Sequence, residues 1–185
     1  MINNNNADNL KELFEETVSY AEKNNIGKII IFAKGTENVL KLKEEIGDKK
    51  IELIVTTFPM NQVLYIENDE GEIEETYPEL YSKDERNKLE QKDIRVLPGT
   101  LPFEAIIIPG YDNNPYNVIS KTLNLFGNGM DIIIQSALMT TDAGITEPGE
   151  RVVSMNTQMF ADLNTANSRF LFHPEKKVLI NEIYK

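Results

Sequence analysis

The chain has 185 residues, 41% hydrophobic and 26% charged, with a formal net charge of −11 at pH 7. This length and composition suit one ordinary globular domain. The acidic balance argues against a sequence-independent grip on nucleic acid, which needs clustered Lys and Arg, and against anionic membrane surfaces. With no cysteine there is no disulfide framework, thiolate nucleophile or cysteine-ligated metal. The N-terminus lacks the basic start and apolar core of a secretory signal, and no apolar run approaches the ~20 residues that span a bilayer. The expected compartment is the cytoplasm.

Residues 1–7 read as a loose tail, because an Asn run has nothing to bury. A single domain is expected over 8–185. Asn9 and Glu12 are spaced as a capping pair for a first helix, and Leu10, Leu13, Phe14, Thr17, Val18 and Ala21 share one helical face. Asn24, Asn25 and Gly27 end it. Lys28–Ala33 is apolar on both faces, as in strands of parallel sheets covered on both sides. Gly35-Thr36 opens a second helix, with Val39, Leu42 and Ile46 at helical spacing and Gly47 as its stop. Lys50–Thr57 is the next strand. This rhythm is that of a βαβ unit.

Residues 60–77 break the rhythm. Gln62–Glu67 and Glu72–Tyr77 are spaced as a hairpin around residues 68–71, and six acids lie between Glu67 and Glu75. A solvated tip and a cation-binding loop are both open readings, although the spacing fails the EF-hand pattern. Ser82–Gln91 reads as a polar surface helix, and Ile94–Leu97 and Ala105–Ile108 as short strands. Val118, Ile119, Thr122, Leu123 and Phe126 give another amphipathic helix, stopped by Gly127 and Gly129. Further strands are expected at Ile132–Ile134, Val152–Met155 and Val178–Ile183. A small-residue turn is expected at Asp142-Ala143-Gly144.

In open parallel sheets ligands bind beyond the carboxyl ends of the strands, so chemistry is sought in the loops at 34–38, 56–61, 98–103 and 156–162. Lys34, Gly35, Thr36, Glu37 and Asn38 are the most suggestive. A glycine at a helix start exposes unpaired N–H groups to an anion, Thr36 adds a hydroxyl and Lys34 a cation. The alternative is a plain turn with Thr36 as N-cap. Thr56, Thr57, Asn156 and Thr157 complete the candidate ligand surface. Asp142 can orient a ligand or act as a base, or simply bond a turn's backbone. His173 is the only histidine, which excludes a triad and a multi-histidine metal site. No metal is expected, and no catalytic residue is assigned.

Several of these pieces together resemble one family. Leu125-Phe126-Gly127-Asn128-Gly129, then Ile134 through Gly144, Gly149-Glu150-Arg151-Val152-Val153, Ala161-Asp162 and Ala166-Asn167-Ser168 follow its pattern in order. The chain resembles the stand-alone archaeal and bacterial proteins built on the C-terminal α/β domain of pyruvate kinase. The resemblance implies a three-layer, doubly wound α/β fold with a mainly parallel sheet. It implies no pyruvate kinase activity, because the substrate and metal sites of that enzyme lie on a barrel without counterpart in these residues. The matching domain there binds a phosphorylated effector at the loop corresponding to Lys34–Asn38, so a small phosphorylated molecule is the expected ligand here.

The departures from the family lie at the ligand surface. Thr56–Asn61 lacks the family's His and Gly, its glycine-rich stretch is replaced by Met155–Phe160, and Gln135 stands where its acid is expected in Ile132–Leu138. Met and Phe are expected to obstruct a phosphate there. Some relatives suggest FMN, for which Phe58, Phe103 and Tyr111 offer a slot. The lost glycines remove backbone donors, so the protein is expected to be colourless and to bind FMN weakly or not at all. An enzyme of unassigned reaction using Asp142 with Thr56 and Thr57 is a second reading. A homo-oligomer or partner-binding module using Val63, Tyr65 and Ile73 of the hairpin is a third.

Overall fold

The computed structural model describes residues 4–60, 63–67, 71–77, 81–104 and 114–185. In chain order the elements are α1 (Asn4–Lys23), β1 (Lys28–Phe32), α2 (Thr36–Ile46), β2 (Glu52–Thr57), β3 (Leu64–Glu67), β4 (Ile73–Thr76), α3 (Lys83–Glu90), β5 (Arg95–Pro98), α4 (Asn117–Leu123), α5 (Met130–Asp142), β6 (Arg151–Met155), β7 (Phe160–Asn164) and β8 (Leu179–Tyr184). Short 3-10 turns at Asn124–Phe126 and Ser168–Phe170 follow α4 and β7. The strand expected at Ala105–Ile108 lies outside the described residues.

Six strands form one sheet in the order β5-β2-β1-β6-β7-β8. β5, β2, β1 and β6 run parallel, while β7 and β8 are added antiparallel. Side chains alternate across a strand, and β1 uses both faces. Ile29 and Ile31 join Leu13, Phe14 and Val18 of α1, Val39, Leu42 and Ile46 of α2, and Leu89 of α3. Ile30 joins Met130, Ile133, Ile134, Ala137 and Leu138 of α5, with Ile119 and Leu123 of α4 against them. The result is three layers of the α/β kind, with apolar central strands because both faces are covered.

α1 starts at Asn4, so the expected tail is in part helical and the expected cap at Asn9 falls inside the helix. Once a helix is nucleated, each added residue gains one hydrogen bond, and a polar segment can extend it. The strand expected at Ile132–Ile134 is the larger correction: these residues lie in α5. Met130, Ile133, Ile134, Ala137 and Leu138 repeat at helical spacing and are all buried. Against that packed face the weaker helix preference of three isoleucines is a small term. The turn at Ala143-Gly144 follows, with Asp142 the last helical residue and Gly144 at φ +69°.

β7 has no counterpart in the sequence reading, because Asp162 interrupts its apolar pattern. Its side chain is sealed in a charge network, and its backbone pairs with β6 and β8. The expected hairpin is present as β3 and β4, a separate two-stranded antiparallel sheet. The capping box of α3 is also formed, with Ser82 and Glu85 bonding each other's backbone N–H groups.

Candidate ligand crevice at the ends of β1 and β6

From β1 the chain moves outward to β2 and β5 on one side, then returns through α4 and α5 to β6 on the other. The strand order therefore reverses between β1 and β6. The loops leaving the carboxyl ends of two such strands diverge to opposite faces and open a crevice. It has a volume of about 550 Å³ and is lined by Phe32–Asn38 after β1, Asn128, Gly129 and Ile132 at the start of α5, and Asn156, Thr157 and Gln158 after β6. A second hollow of about 720 Å³ adjoins it, sharing Asn38, Thr157 and Gln158 and bounded by α1 and Lys185.

The β1 side of the crevice carries unsatisfied donors. Gly35, not Thr36, is the N-cap of α2, and among the described residues no side chain caps this helix. Its first-turn N–H groups and partial positive charge thus face the crevice without a competing side-chain acceptor. A Cβ built on Gly35 meets nothing within 4 Å, so the space above the turn is open. The Lys34 ammonium stands 5.4 Å from the centre of the Phe58 ring, and no carboxylate pairs with it among the described residues. Glu37 lies in the same first turn, but its carboxylate turns away to accept from Lys41 at 2.7 Å, and that bond holds it below the usual carboxylate range.

The β6 side is rigid and already bonded. The Asn156 side-chain oxygen accepts from the backbone N–H groups of Gln158 at 2.8 Å and Met159 at 3.0 Å, and its amide donates to the Asn128 carbonyl at 3.3 Å. The Asn128 amide donates to Gln158 at 3.0 Å. Gly129 adopts φ +81°, and a Cβ there would stand 2.4 Å from the Asn156 amide nitrogen, so this close approach requires glycine. The Asn124 side-chain oxygen accepts from the N–H groups of Gly129 and Asp131, which occupies donors at the start of α5. An anion therefore finds more free donors at α2 than at α5.

The structure brings together Lys34, Gly35, Thr36, Glu37, Asn38, Asn156 and Thr157 in this crevice. It does not bring Thr56, Thr57 or Asp142 there. The Thr56 hydroxyl donates to Ser136 of α5 at 2.9 Å and is buried. Thr57 is buried on the opposite sheet face, and its hydroxyl has no partner among the described residues. Asp142 sits at the far end of α5, about 18 Å of helix from Met130 at 1.5 Å per residue, where it accepts from the Ser168 N–H at 3.0 Å.

The expected obstruction by Met and Phe does not occur. Met155, Met159 and Phe160 point into the core, leaving Asn156, Thr157 and Gln158 at the surface of the loop. Phe58 is buried with Leu101 and Met139, and Phe103 is buried beside α5, so neither lines the crevice. Tyr111 lies outside the described residues. Asn128 and Gly129 escape the sequence reading of the site because it places a strand, not a helix start, after them, while Gln158 falls in the expected loop at 156–162 without being singled out. The 3.6-residue period of α5 was the available signal.

Asp162 forms the other concentration of charge. It is sealed from solvent on β7 and accepts from the Arg151 guanidinium through two nitrogens, at 3.0 Å and 2.5 Å, from Asn181 at 3.0 Å and from Tyr20 at 2.8 Å. These donors account for its acceptor capacity, so it is a structural tie between α1, β6, β7 and β8. Among the described residues no group of three or more His, Cys, Asp or Glu side chains is placed to hold a metal ion. Among them, too, no helix is long and apolar enough to cross a membrane. No protein-family model matches this chain, and no curated protein matches it.

Proposed function

We propose that this chain is a small-molecule-binding α/β domain whose ligand carries a phosphate or a similar anion, seated between the ends of β1 and β6. The reading rests chiefly on one observation: the uncapped start of α2, with Lys34 beside it, opens onto a crevice at the point where strand order reverses. Asn156, Thr157 and Gln158 supply polar contacts for the remainder of the ligand. The resemblance to the pyruvate kinase C-terminal domain supports the same loop, and we take the fold to be of that type, without pyruvate kinase activity. The cytoplasm suits a chain without cysteine. FMN is not the favoured ligand, because among the described residues the crevice has no aromatic slot beyond Phe32.

Thermal denaturation against inorganic phosphate, sugar phosphates, nucleotides and FMN tests the reading. Stabilisation should follow RT ln(1 + [L]/Kd), about 2.7 kcal/mol at one hundred times Kd. Lys34→Ala should remove most of the shift and leave the unliganded melting temperature unchanged. Absence of a shift with every phosphate compound at millimolar concentration overturns the proposal. A yellow preparation overturns the exclusion of FMN.

A further inference from the structure

Asn128-Gly129 is the single Asn-Gly pair in the chain, and the structure places it on the crevice wall at the start of α5. The carboxamide carbon of an asparagine can close a five-membered ring with the backbone nitrogen of the residue that follows. A side chain on that next residue hinders the closure, and glycine has none. The fold holds the unhindered residue in place. Gly129 adopts φ +81°, and a Cβ there would stand 2.4 Å from the Asn156 amide nitrogen. The pair most prone to this cyclisation is therefore one that the packing of the crevice requires.

Two hydrogen bonds must open before the ring can form. The Asn128 amide donates to Gln158 at 3.0 Å, and the Gly129 N–H donates to the Asn124 side-chain oxygen at 3.1 Å. Both lie at the surface, where exchange of such bonds with water costs little net free energy. Asn128 is itself exposed, so water also reaches the ring once it has closed.

We propose that Asn128 is a site of spontaneous modification, converted through a succinimide to isoaspartate and aspartate, and that the conversion weakens anion binding in the crevice. The binding half rests on the function proposed above. The Gly129 nitrogen gives up its proton to solvent and bonds to the Asn128 side-chain carbonyl carbon, while the bond from that carbon to the side-chain nitrogen breaks and ammonia leaves. Water then adds to one of the two ring carbonyls. Opening at the main-chain carbonyl gives isoaspartate, and opening at the side-chain carbonyl gives aspartate. Water is the only reactant consumed. Either product replaces the amide that donates to Gln158 by a carboxylate, so two acceptors face each other. The new charge also stands in the crevice lined by Lys34 and opposes an incoming anion. Isoaspartate further lengthens the backbone by one carbon, directly before a glycine packed against Asn156.

Peptide mass mapping of the full chain, kept folded at mildly alkaline pH, tests the modification. The segment 126–131 should gain the mass difference between NH2 and OH and resolve into two products of equal mass, with isoaspartate in excess. A synthetic peptide of the same segment serves as the clock. Full conversion of the peptide with Asn128 still intact in the protein overturns the proposal. Titration calorimetry with inorganic phosphate tests the consequence. Asn128→Asp, freshly prepared, should bind phosphate several-fold more weakly than the wild type, with an unchanged circular dichroism spectrum. The wild type should lose affinity as it ages, whereas Asn128→Ser, which cannot form the ring, should keep whatever affinity it starts with. Equal affinities of the wild type and Asn128→Asp overturn the binding half, as does a parallel decline of the wild type and Asn128→Ser. A fresh wild type that binds no phosphate removes the function proposed above and the binding half with it, and the mass map decides the modification in either case.

Discussion

Asp162 shows how a residue unsuited to a strand interior is accommodated there. Burial alone would push its carboxyl pKa up, but the bonds from Arg151, Asn181 and Tyr20 outweigh that and hold it below the ordinary value. The Tyr20 hydroxyl is pushed the other way, first by burial and then by the neighbouring carboxylates, and stays protonated. Removing one partner of a buried pair costs about 3–5 kcal/mol. Because Arg151 is partly exposed, Asp162→Ala should lose about 3 kcal/mol at pH 7, the lower end of that range, measured by urea denaturation. In the unfolded chain this carboxyl titrates near about 3.9. Its contribution is therefore complete above that pH and vanishes as pH falls through the lower folded value. Wild-type stability should fall more steeply than that of Asp162→Asn below about pH 4, and parallel acid limbs would contradict this. Gly129 is a second sensitive position. Gly129→Ala forces a side chain into the left-handed region and onto Asn156, and should cost about 1–2 kcal/mol.

At the scale of elements, α2 and α3 make a useful contrast. α3 is closed at its start by Ser82 and Glu85, so its donors are spent. α2 begins on a glycine with no side-chain cap, so its donors remain available. Gly35→Asp supplies the missing cap and a negative charge, and should stabilise the unliganded protein by about 0.5 kcal/mol. The same change should abolish the thermal shift with phosphate, because the new carboxylate occupies the anion's place. A rise in melting temperature with the phosphate shift retained would separate the ligand from α2. Glu37→Gln should act in the opposite sense. It removes a competing charge from the first turn, and phosphate should bind more tightly, by titration calorimetry, without a new contact.

At the scale of the molecule, the excess of 30 acids over 19 bases opposes both folding and anion binding. Sodium chloride should therefore raise the melting temperature gradually. Phosphate at matched ionic strength should add a further, saturable increment if the crevice binds it. Two superimposable salt curves would reduce phosphate to general screening. The crevice lies on the side of the sheet where the local field departs from this acidic background, because Lys34 and the start of α2 stand together there. Asp142 and the Arg151–Asp162 tie do not line it.

The run Lys28–Phe32 between two amphipathic helices was enough to specify a covered central strand, and glycines at 35 and 47 marked where α2 would start and stop. Hydrophobic period and turn chemistry are local properties, so α1, β1, α2, β2, the hairpin, α3 and the Lys34–Asn38 turn were readable from sequence. A triple isoleucine at 132–134 satisfies strand and helix alike over its own length. Only the packing of Met130 through Leu138 on Ile30 and Ile54 decides for α5. β7 depends still more on its surroundings, since Asp162 enters a sheet only because Arg151, Asn181 and Tyr20 converge on it from β6, β8 and α1. The same holds for the crevice. Which loops meet there follows from β6 lying beside β1, and that adjacency joins residues 34–38 to 156–158 across more than a hundred positions of chain. Strand neighbours are set by the burial of both sheet faces at once, a condition on the whole molecule that no local segment carries.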